Sequence, residues 1–474
     1  MQRRCADQPT CRPADGAGRT TTHEQRLIIR EVSAPVHFTV DAFRSTPPFD
    51  ILAKLFGQPE HTDWLDESLS WKQTCYIGDW SFLPQTRFRG PDVLTLFSGI
   101  SVNSFRRFPA GASKHVVQTN THGHVMSEGI LTRLDEEDYV FHGPGGDWAR
   151  YNLEHGDFKA TAEDEDWFVY QVSGPASIPL LLDLTGDERL LDTPYMHAVP
   201  TTLAGHRVWA LRQGMAGEVG FELQGPREIG GSVYDAVVQA GQKYGIRRLG
   251  NRAAPINHLE NAVPTRNLDY LPALYEPEEA DFLTHLLGSP WHIPRAFIAG
   301  SFQGESLRDY YRDPVELGWT RQISFDHPFL GDAVLKERLA EPARVLRTLV
   351  WNSDDVLDVH RSLYGDGPHH TFMDMPRDLR GHLWMDRVER DGVLAGTATS
   401  RGYSYYFRKM LSLAVLNVAD AEIGTQVDVV WGEPGDPVKR IRATVAKAPF
   451  KRVRSRAELH AHLAAYRAES GPAA

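Results

Sequence analysis

The chain has 474 residues, 41% of them hydrophobic, and a formal net charge of -11. A chain of this length buries a large core and suggests about two to four structural units, and its negative charge argues against nucleic acid or an anionic membrane as the main partner. No apolar run approaches the roughly 20 residues that span a bilayer, so we expect a small-molecule substrate.

The first 25 residues, MQRRCADQPTCRPADGAGRTTTHEQ, lack the apolar segment of a secretory signal and are typical of a disordered tail. Only three cysteines occur in the chain, Cys5, Cys11 and Cys75. That number supports neither a disulfide framework nor a four-ligand zinc site. We therefore expect a protein of the reducing cytoplasm.

Three segments then repeat one local pattern, in which an alternating stretch leads through Gly-Pro into an apolar-periodic stretch. They are RFRGPDVLTLFSG (87–99), YQVSGPASIPLLLDLTG (170–186) and FELQGPREIGGSVYDAVVQAG (221–241). The pattern predicts strand, tight turn and helix, with Ser232 and Asp235 as a capping box of the third helix and Gly245 as its stop. We predict two related α+β modules over residues 26–340. The alternative is that Gly-Pro is simply a common turn dipeptide.

After about residue 340 the segments become short, β-rich and separated by turn residues, as in RVLRTLVWNS and TQVDVVWGE. This texture predicts a small antiparallel barrel or sandwich over residues 341–474. The segment before it that runs from Arg266 to Phe302 is rich in proline and aromatic residues, and we expect irregular structure there. The predicted fold class is α+β.

Several motifs, in order and at consistent spacing, carry a family resemblance. They are LRQGMAGEVGFELQGP (211–226), LGNRAAPINHLENAVP (249–264), DPVELGWTRQISFDHPFLGDAVLKE (313–337) and GYSYYFRKMLSLAVLN (402–417). Together they resemble the tetrahydrofolate-dependent aminomethyltransferase family, the T-protein of glycine cleavage, and within it the aryl O-demethylases of the vanillate and syringate type. The resemblance implies a three-domain, cloverleaf-like arrangement around a central hole that holds tetrahydrofolate.

The resemblance also implies a cofactor site around Glu222, which lies between Phe221 and Leu223 in a strand pattern. Glu222 matches the acid that anchors the pterin, since a carboxylate offers two acceptors to adjacent N–H groups. The other cofactor-binding residues implied are Gln171, Tyr195, Val140 and Arg252. From the residues alone, Glu222 could equally be a solvent-facing strand residue, and a strand glutamine and a buried tyrosine are common without any ligand.

The sequence departs from the demethylases at three positions. Ala254 stands where their catalytic tyrosine is found, Ser81 or Phe82 where they carry a histidine, and His142 where an arginine holds the substrate carboxylate. Three polar functions have become smaller, apolar or titratable. A carboxylated phenol such as vanillate is therefore not the expected substrate.

Three side chains remain as catalytic candidates: Glu128, His142 and His258. Glu128 matches a carboxylate near the reactive folate nitrogen of the T-protein, and His142 is a candidate proton donor because an imidazole titrates near neutral pH. Alternatively, Glu128 is a surface acid and the histidines are packed or solvated residues. The predicted substrate pocket is formed by Phe82, Ala254, Asn257 and Val263.

The predicted function is a tetrahydrofolate-dependent one-carbon (methyl) transferase or demethylase. Its substrate is a small aromatic compound or a methoxy, methylthio or methylamino compound, and the direction of transfer is open. One alternative is a scaffold reused for another reaction, with or without folate. A second is a folate-binding accessory protein, which ranks last because the cysteine of that branch is absent from GMAGEVGFE (214–222).

No metal is predicted, because the pairs His122/His124 and His369/His370 lack a third ligand at a diagnostic spacing. The expected partners are a small-molecule substrate and no nucleic acid or membrane. We expect a monomer or a homodimer.

Overall fold

The computed structural model describes residues 39–45, 58–287, 297–378 and 383–470; the predicted N-terminal tail lies outside them. The strands, in chain order, are β1 Cys75–Asp79, β2 Gln85–Arg89, β3 Ser113–Thr119, β4 Val125–Asp135, β5 Asp138–His142, β6 Thr161–Glu165, β7 Trp167–Ser173, β8 Ala198–Leu203, β9 His206–Arg212, β10 Gly220–Pro226, β11 Ile246–Arg248, β12 Ile298–Ala299, β13 Arg344–Trp351, β14 Leu383–Trp384, β15 Asp386–Arg390, β16 Val393–Ser404, β17 Lys409–Asn417, β18 Gln426–Trp431 and β19 Lys439–Ala446.

The α-helices within the described residues are α1 Val40–Arg44, α2 Trp64–Gln73, α3 Val93–Ile100, α4 Gly145–Glu154, α5 Ser177–Thr185, α6 Arg227–Gly241, α7 Ala254–Glu260, α8 Ala280–Leu287, α9 Asp332–Ala340, α10 Ser353–Ser362 and α11 Leu459–Ser470. Within the same residues, none of the helices is both long and apolar enough to cross a membrane.

Two open sheets precede the C-terminal strands. One has six strands in the order β11-β1-β7-β10-β9-β8, and the other has five in the order β3-β4-β5-β2-β6. The six-stranded sheet is antiparallel except for the parallel pair β1 and β11. Strand β7, near the centre of this sheet, is buried along its whole length. A charged side chain near the centre of the sheet is therefore withdrawn from water.

The predicted strand, turn and helix units are present at all three Gly-Pro sites, where β2, β7 and β10 lead into α3, α5 and α6. Gly90 and Gly174 have φ values of 128° and 123°, which favour glycine. The predicted capping box was wrong. Helix α6 begins at Arg227, five residues before Ser232, and the Ser232 hydroxyl donates to the Ile229 carbonyl inside the helix at 3.0 Å.

The C-terminal strands close into an antiparallel barrel in the order β13-β17-β16-β15-β18-β19. Of the two predicted architectures, barrel and sandwich, the structure therefore has the barrel, and the α+β fold class is confirmed. Trp351 and Trp431 fill the interior with ring centroids 6.1 Å apart. Closure leaves these strands without free edges.

The segment from Arg266 to Phe302 is more regular than expected, because it contains helix α8. Phe282 of α8 packs edge-on against Trp148 of α4, with ring centroids 4.6 Å apart. The apolar spacing of Phe282, Leu283 and Leu286, all buried, was the helical signal hidden among the prolines. Residues 288–296 of this segment lie outside the described residues.

A buried carboxylate, Glu260, connects the end of helix α7 to two other elements. It forms an ion pair with Lys72 of α2 at 3.0 Å and accepts hydrogen bonds from the Trp71 indole at 3.0 Å and the Ser404 hydroxyl of β16 at 2.5 Å. The Glu260 side chain is 1% exposed and that of Lys72 is 7% exposed. These contacts fix the end of α7 against helix α2 and strand β16 of the barrel.

Replacing Glu260 with alanine should lower the free energy of unfolding by about 3–5 kcal/mol, because Lys72 would keep a buried charge without its partner. Glu260→Gln retains hydrogen-bonding groups and should cost less. Chemical denaturation measures both, with Glu337→Ala, at an exposed position of α9, as the control expected within about 0.5 kcal/mol of wild type. Equal effects of Glu260→Ala and Glu337→Ala would contradict the role of the network.

Candidate active site

Most of the predicted site residues line one cavity of about 870 Å³. Its wall is formed by side chains from both open sheets, from helix α7 and from the loops that follow α7 and β12. The predicted residues that line it are Phe82, Glu128, His142, Tyr195, Glu222, Ala254, His258 and Val263. This volume lies within the usual range for small-molecule sites.

Glu222 lies in the middle of β10, opposite Gln171 of β7 and Leu211 of β9, and is 6% exposed. Gln213 donates to its Oε1 and Gln224 donates to its Oε2, the latter at 3.0 Å. Burial raises the pKa of the carboxyl to about 7, although the two amide donors act in the opposite direction. Among the described residues no cation forms an ion pair with Glu222.

Gln171 lies behind this wall rather than in it. Its Oε1 accepts hydrogen bonds from the Tyr76 hydroxyl at 2.9 Å and from the Met215 backbone N–H at 3.0 Å, and its Nε2 donates to the Gln213 carbonyl at 3.4 Å. Gln171 therefore holds the loop that carries Gln213 and Met215, both of which line the cavity. Gln171 itself does not line the cavity.

Tyr195 lines the cavity beside Arg456, whose guanidinium carbon is 4.5 Å from the centroid of the Tyr195 ring. Val140 and Arg252 do not line the cavity. Val140 is fully buried within β5, and Arg252 pairs with Glu60 at 3.4 Å and donates to the backbone carbonyl of Met375. The sequence pattern gave no information on which way these two side chains point.

Helix α7 presents Ala254 and His258 to the cavity. The two positions are four residues apart and share one face of the helix. Asn257 points elsewhere: it is fully buried and does not line the cavity, which differs from its predicted place in the substrate pocket.

His258 stacks on Trp80, with ring centroids 6.2 Å apart and an angle of 20° between the planes. Its Nδ1 lies 3.4 Å from the Thr265 hydroxyl, and its Nε2 is buried with no partner among the described residues. Burial, and then the charge of Arg377, lower the pKa of the ring to about 4. His258 is therefore neutral near pH 7.

His142 ends β5, where it pairs with Gln85 of β2 and Ile130 of β4. It is 4% exposed, and burial lowers the pKa of its ring to about 4. The prediction that His142 titrates near neutral pH was wrong for this reason. A neutral ring still has one N–H donor and one acceptor nitrogen.

Glu128 of β4 lies within hydrogen-bond distance of His115 of β3, with 3.0 Å between Oε2 and Nε2. The His115 ring meets Trp319 edge-on, with centroids 4.9 Å apart. Sequence reasoning missed His115, although its position on a strand next to that of Glu128 would have been a usable signal. The carboxylate is thus held in place by a neighbouring strand.

Trp80 is the second residue that sequence reasoning missed. A Cβ on Gly78 would lie 1.9 Å from the Trp80 ring, so glycine at 78 is what lets the indole fold back over the strand toward α7. The sequence GDW (78–80) held this signal.

The histidine pairs His122/His124 and His369/His370 do not line the cavity. The rings of His122 and His124 lie 6.5 Å apart, and His370 Nδ1 lies 2.8 Å from the Pro437 carbonyl oxygen. Within the described residues, no group of three histidine, cysteine, aspartate or glutamate side chains is placed to hold a metal ion.

Comparison with known proteins agrees with this architecture. The family model described as GCVT N-terminal domain matches residues 32–282, just over half of the chain. The chain belongs to this family. The resemblance found in the sequence is therefore confirmed, and the chain is a one-carbon transferase of this family.

Two curated relatives match nearly the whole chain. A sesamin methylene transferase from Sinomonas sp. is 32% identical, and the alignment covers 84% of this chain and 92% of the relative. A syringate O-demethylase from Sphingobium sp. is 29% identical over 83% of this chain and 90% of the relative. Aminomethyltransferase T of the glycine cleavage system from Bartonella henselae shares the fold, with a TM-score of 0.61 at 17% identity over 85% of this chain and 97% of its own.

The raised pKa of Glu222 gives a pH-dependent stability. Between its ordinary value of 4.5 and about 7, the folded protein keeps a proton that the unfolded chain has lost, so the free energy of unfolding falls as the pH rises. Relative to Glu222→Gln, which cannot ionise, the ligand-free wild type should lose on the order of 2 kcal/mol between about pH 5 and 8. Denaturant titrations of both proteins at each pH measure this difference; a constant difference would contradict the assignment.

Proposed function

We propose that the protein moves a one-carbon unit between an oxygen atom of a small aromatic compound and tetrahydrofolate. The observation that carries the proposal is Glu222, a buried carboxylate that no cation neutralises among the described residues, in the wall of a cavity of about 870 Å³. The names of the two relatives, a methylene transferase and an O-demethylase, favour a methoxy group or a methylene group held by aryl oxygen.

The residues present fit a reduced pterin. Each oxygen of Glu222 accepts one amide donor from within the protein, and a carboxylate has further acceptor capacity for two adjacent N–H donors of a ligand. Such donors would favour the ionised form and offset the cost of its burial. Gln213 and Tyr195 line the same cavity and would complete the holding site.

When bound, tetrahydrofolate supplies the nitrogen nucleophile that accepts the one-carbon unit. The protein contributes alignment of the two reactants and exclusion of water. By comparison with well-oriented intramolecular reactions, alignment lowers the activation free energy by about 7 kcal/mol. Trp80, Phe82 and Leu83 make one part of the cavity wall apolar. An aromatic ring packed there would leave only its oxygen substituents near polar groups.

We assign His258 as the hydrogen-bond donor to the leaving aryl oxygen. As the carbon–oxygen bond breaks, the oxygen keeps the electron pair, gains negative charge and needs a hydrogen-bond donor. The Thr265 hydroxyl lies 3.4 Å from Nδ1 and 3.3 Å from the Val263 carbonyl oxygen, and it can donate to either of them. When it donates to Nδ1, the ring proton lies on Nε2, which has no other partner among the described residues. A neutral imidazole placed in this way can polarise an oxygen without becoming charged.

Arg377 adds a positive charge to the same region. It lines the cavity, is 9% exposed, and its charge acts on the His258 ring. A cation in a partly desolvated wall stabilises a developing phenolate more than it would in water. Together, His258 and Arg377 would supply the function of the tyrosine that the demethylases carry at the position matched by Ala254.

The test is incubation of the pure protein with tetrahydrofolate and a set of methoxy- and methylenedioxy-substituted arenes, with both products quantified by mass spectrometry. We expect one methyl- or methylene-folate for each phenol released. His258→Phe, which keeps the stack on Trp80, should lower kcat by about 100-fold, whereas His258→Gln keeps a donor and should recover part of that loss. The dissociation constant for tetrahydrofolate should change less than about twofold in both.

The matched control is His369→Phe, because His369 is exposed and lies in the C-terminal part of the chain away from the cavity. Full activity of His258→Phe would contradict the assigned role. No binding of tetrahydrofolate up to millimolar concentration would contradict the proposed function and favour a scaffold reused for another reaction.

Cytoplasmic location, the absence of nucleic-acid and membrane partners, and a monomeric or homodimeric state remain predictions of the sequence. Gel filtration with light scattering would test the last.

A further inference from the structure

His142 occupies a part of the cavity wall in which its polar atoms have no partner. The ring lines the cavity, is 4% exposed, and neither Nδ1 nor Nε2 has a hydrogen-bond partner among the described residues. Buried polar atoms are satisfied in the great majority of proteins, and one that is not commonly faces a ligand or a water. The ring therefore has a donor and an acceptor available for a bound molecule.

Among the described residues, no charged side chain forms a hydrogen bond or an ion pair with His142. Burial is the only cause that lowers the pKa of the His142 ring, whereas both Arg377 and Glu128 act on the His258 ring. The neighbouring polar group Gln85 is already engaged, since its Oε1 accepts from the Trp167 backbone N–H at 3.2 Å. The ring of Trp167 lies 6.1 Å away between centroids.

A neutral donor and acceptor suit an uncharged oxygen. An ether or hydroxyl oxygen accepts from the imidazole N–H, and a phenol hydroxyl can donate to the other nitrogen. A carboxylate at the same place would lose its hydration without gaining a cation, which disfavours its burial. The free-energy cost of desolvating a carboxylate thus distinguishes carboxylated substrates from uncharged ones.

We infer that His142 selects uncharged oxygenated arenes and that the enzyme discriminates against their carboxylated counterparts. The inference rests on the proposed function and names the substrate class of that site. Lys114, Arg266, Arg321 and Arg456 also line the cavity, but none of them contributes to the pKa shift of His142.

The test compares pairs of compounds that differ by one carboxylate: guaiacol with vanillate, and 1,3-benzodioxole with 1,3-benzodioxole-5-carboxylate. Titration calorimetry on the full chain, with and without tetrahydrofolate, gives the dissociation constants without requiring turnover. Wild type should bind each neutral compound at least tenfold more tightly than its carboxylated partner. A preference for the carboxylated member, or equal affinity, would overturn the inference.

Variants at position 142 separate recognition from shape. His142→Phe keeps a ring but no polar atom, and should weaken guaiacol binding by about fivefold or more while leaving the dissociation constant for tetrahydrofolate unchanged. His142→Gln keeps a neutral donor and acceptor and should retain most of the affinity. Thermal midpoints establish that both variants fold. Unchanged guaiacol binding in a folded His142→Phe would overturn the role of the ring.

His142→Arg adds the missing cation and should narrow or reverse the preference within each pair. The same panel distinguishes this inference from the function it rests on. If neutral arenes bind with the expected preference and no one-carbon folate forms, the proposed function is wrong and the selectivity stands. If product forms from vanillate with the same kcat/KM as from guaiacol, the function stands and the selectivity is wrong.

Discussion

The site is organised around one costly feature, a carboxylate buried at the centre of a six-stranded sheet. Glu222 is surrounded by donors from Gln213 and Gln224 rather than by a cation, so its burial is only partly offset within the protein. The strands that hold it are themselves buried, and Gln171 fixes the loop beside it. A ligand with two adjacent N–H donors would offset the rest of the cost of burying Glu222. This is the physical basis for the proposed pterin site.

The second determinant is helix α7, which brings Ala254 and His258 to the cavity. The ring of His258 is stacked on Trp80 and lies near Thr265. The end of the helix is anchored outside the cavity lining, where Glu260 is fixed to Lys72, Trp71 and Ser404.

Much of this followed from the sequence, for identifiable reasons. Glycines with positive φ angles, Gly90 and Gly174, marked two of the three strand-to-helix turns, and the motif around Glu222 placed it on a strand. What the sequence could not provide was side-chain direction and burial. Arg252 turned to Glu60, the ring of His142 lost its expected pKa through desolvation, and His115 reached Glu128 only through strand pairing. These depend on tertiary packing rather than on local pattern.

The most direct test of the central claim is the proton balance of tetrahydrofolate binding at about pH 6.5, measured by calorimetry in buffers of different ionisation enthalpy. In the free protein Glu222, with its pKa raised to about 7, is mostly protonated at that pH, and N–H donors of a bound pterin would favour its ionised form. The account predicts release of a fraction of a proton by wild type and none by Glu222→Gln, which should also bind more weakly. The same proton exchange and the same affinity in both proteins would contradict it.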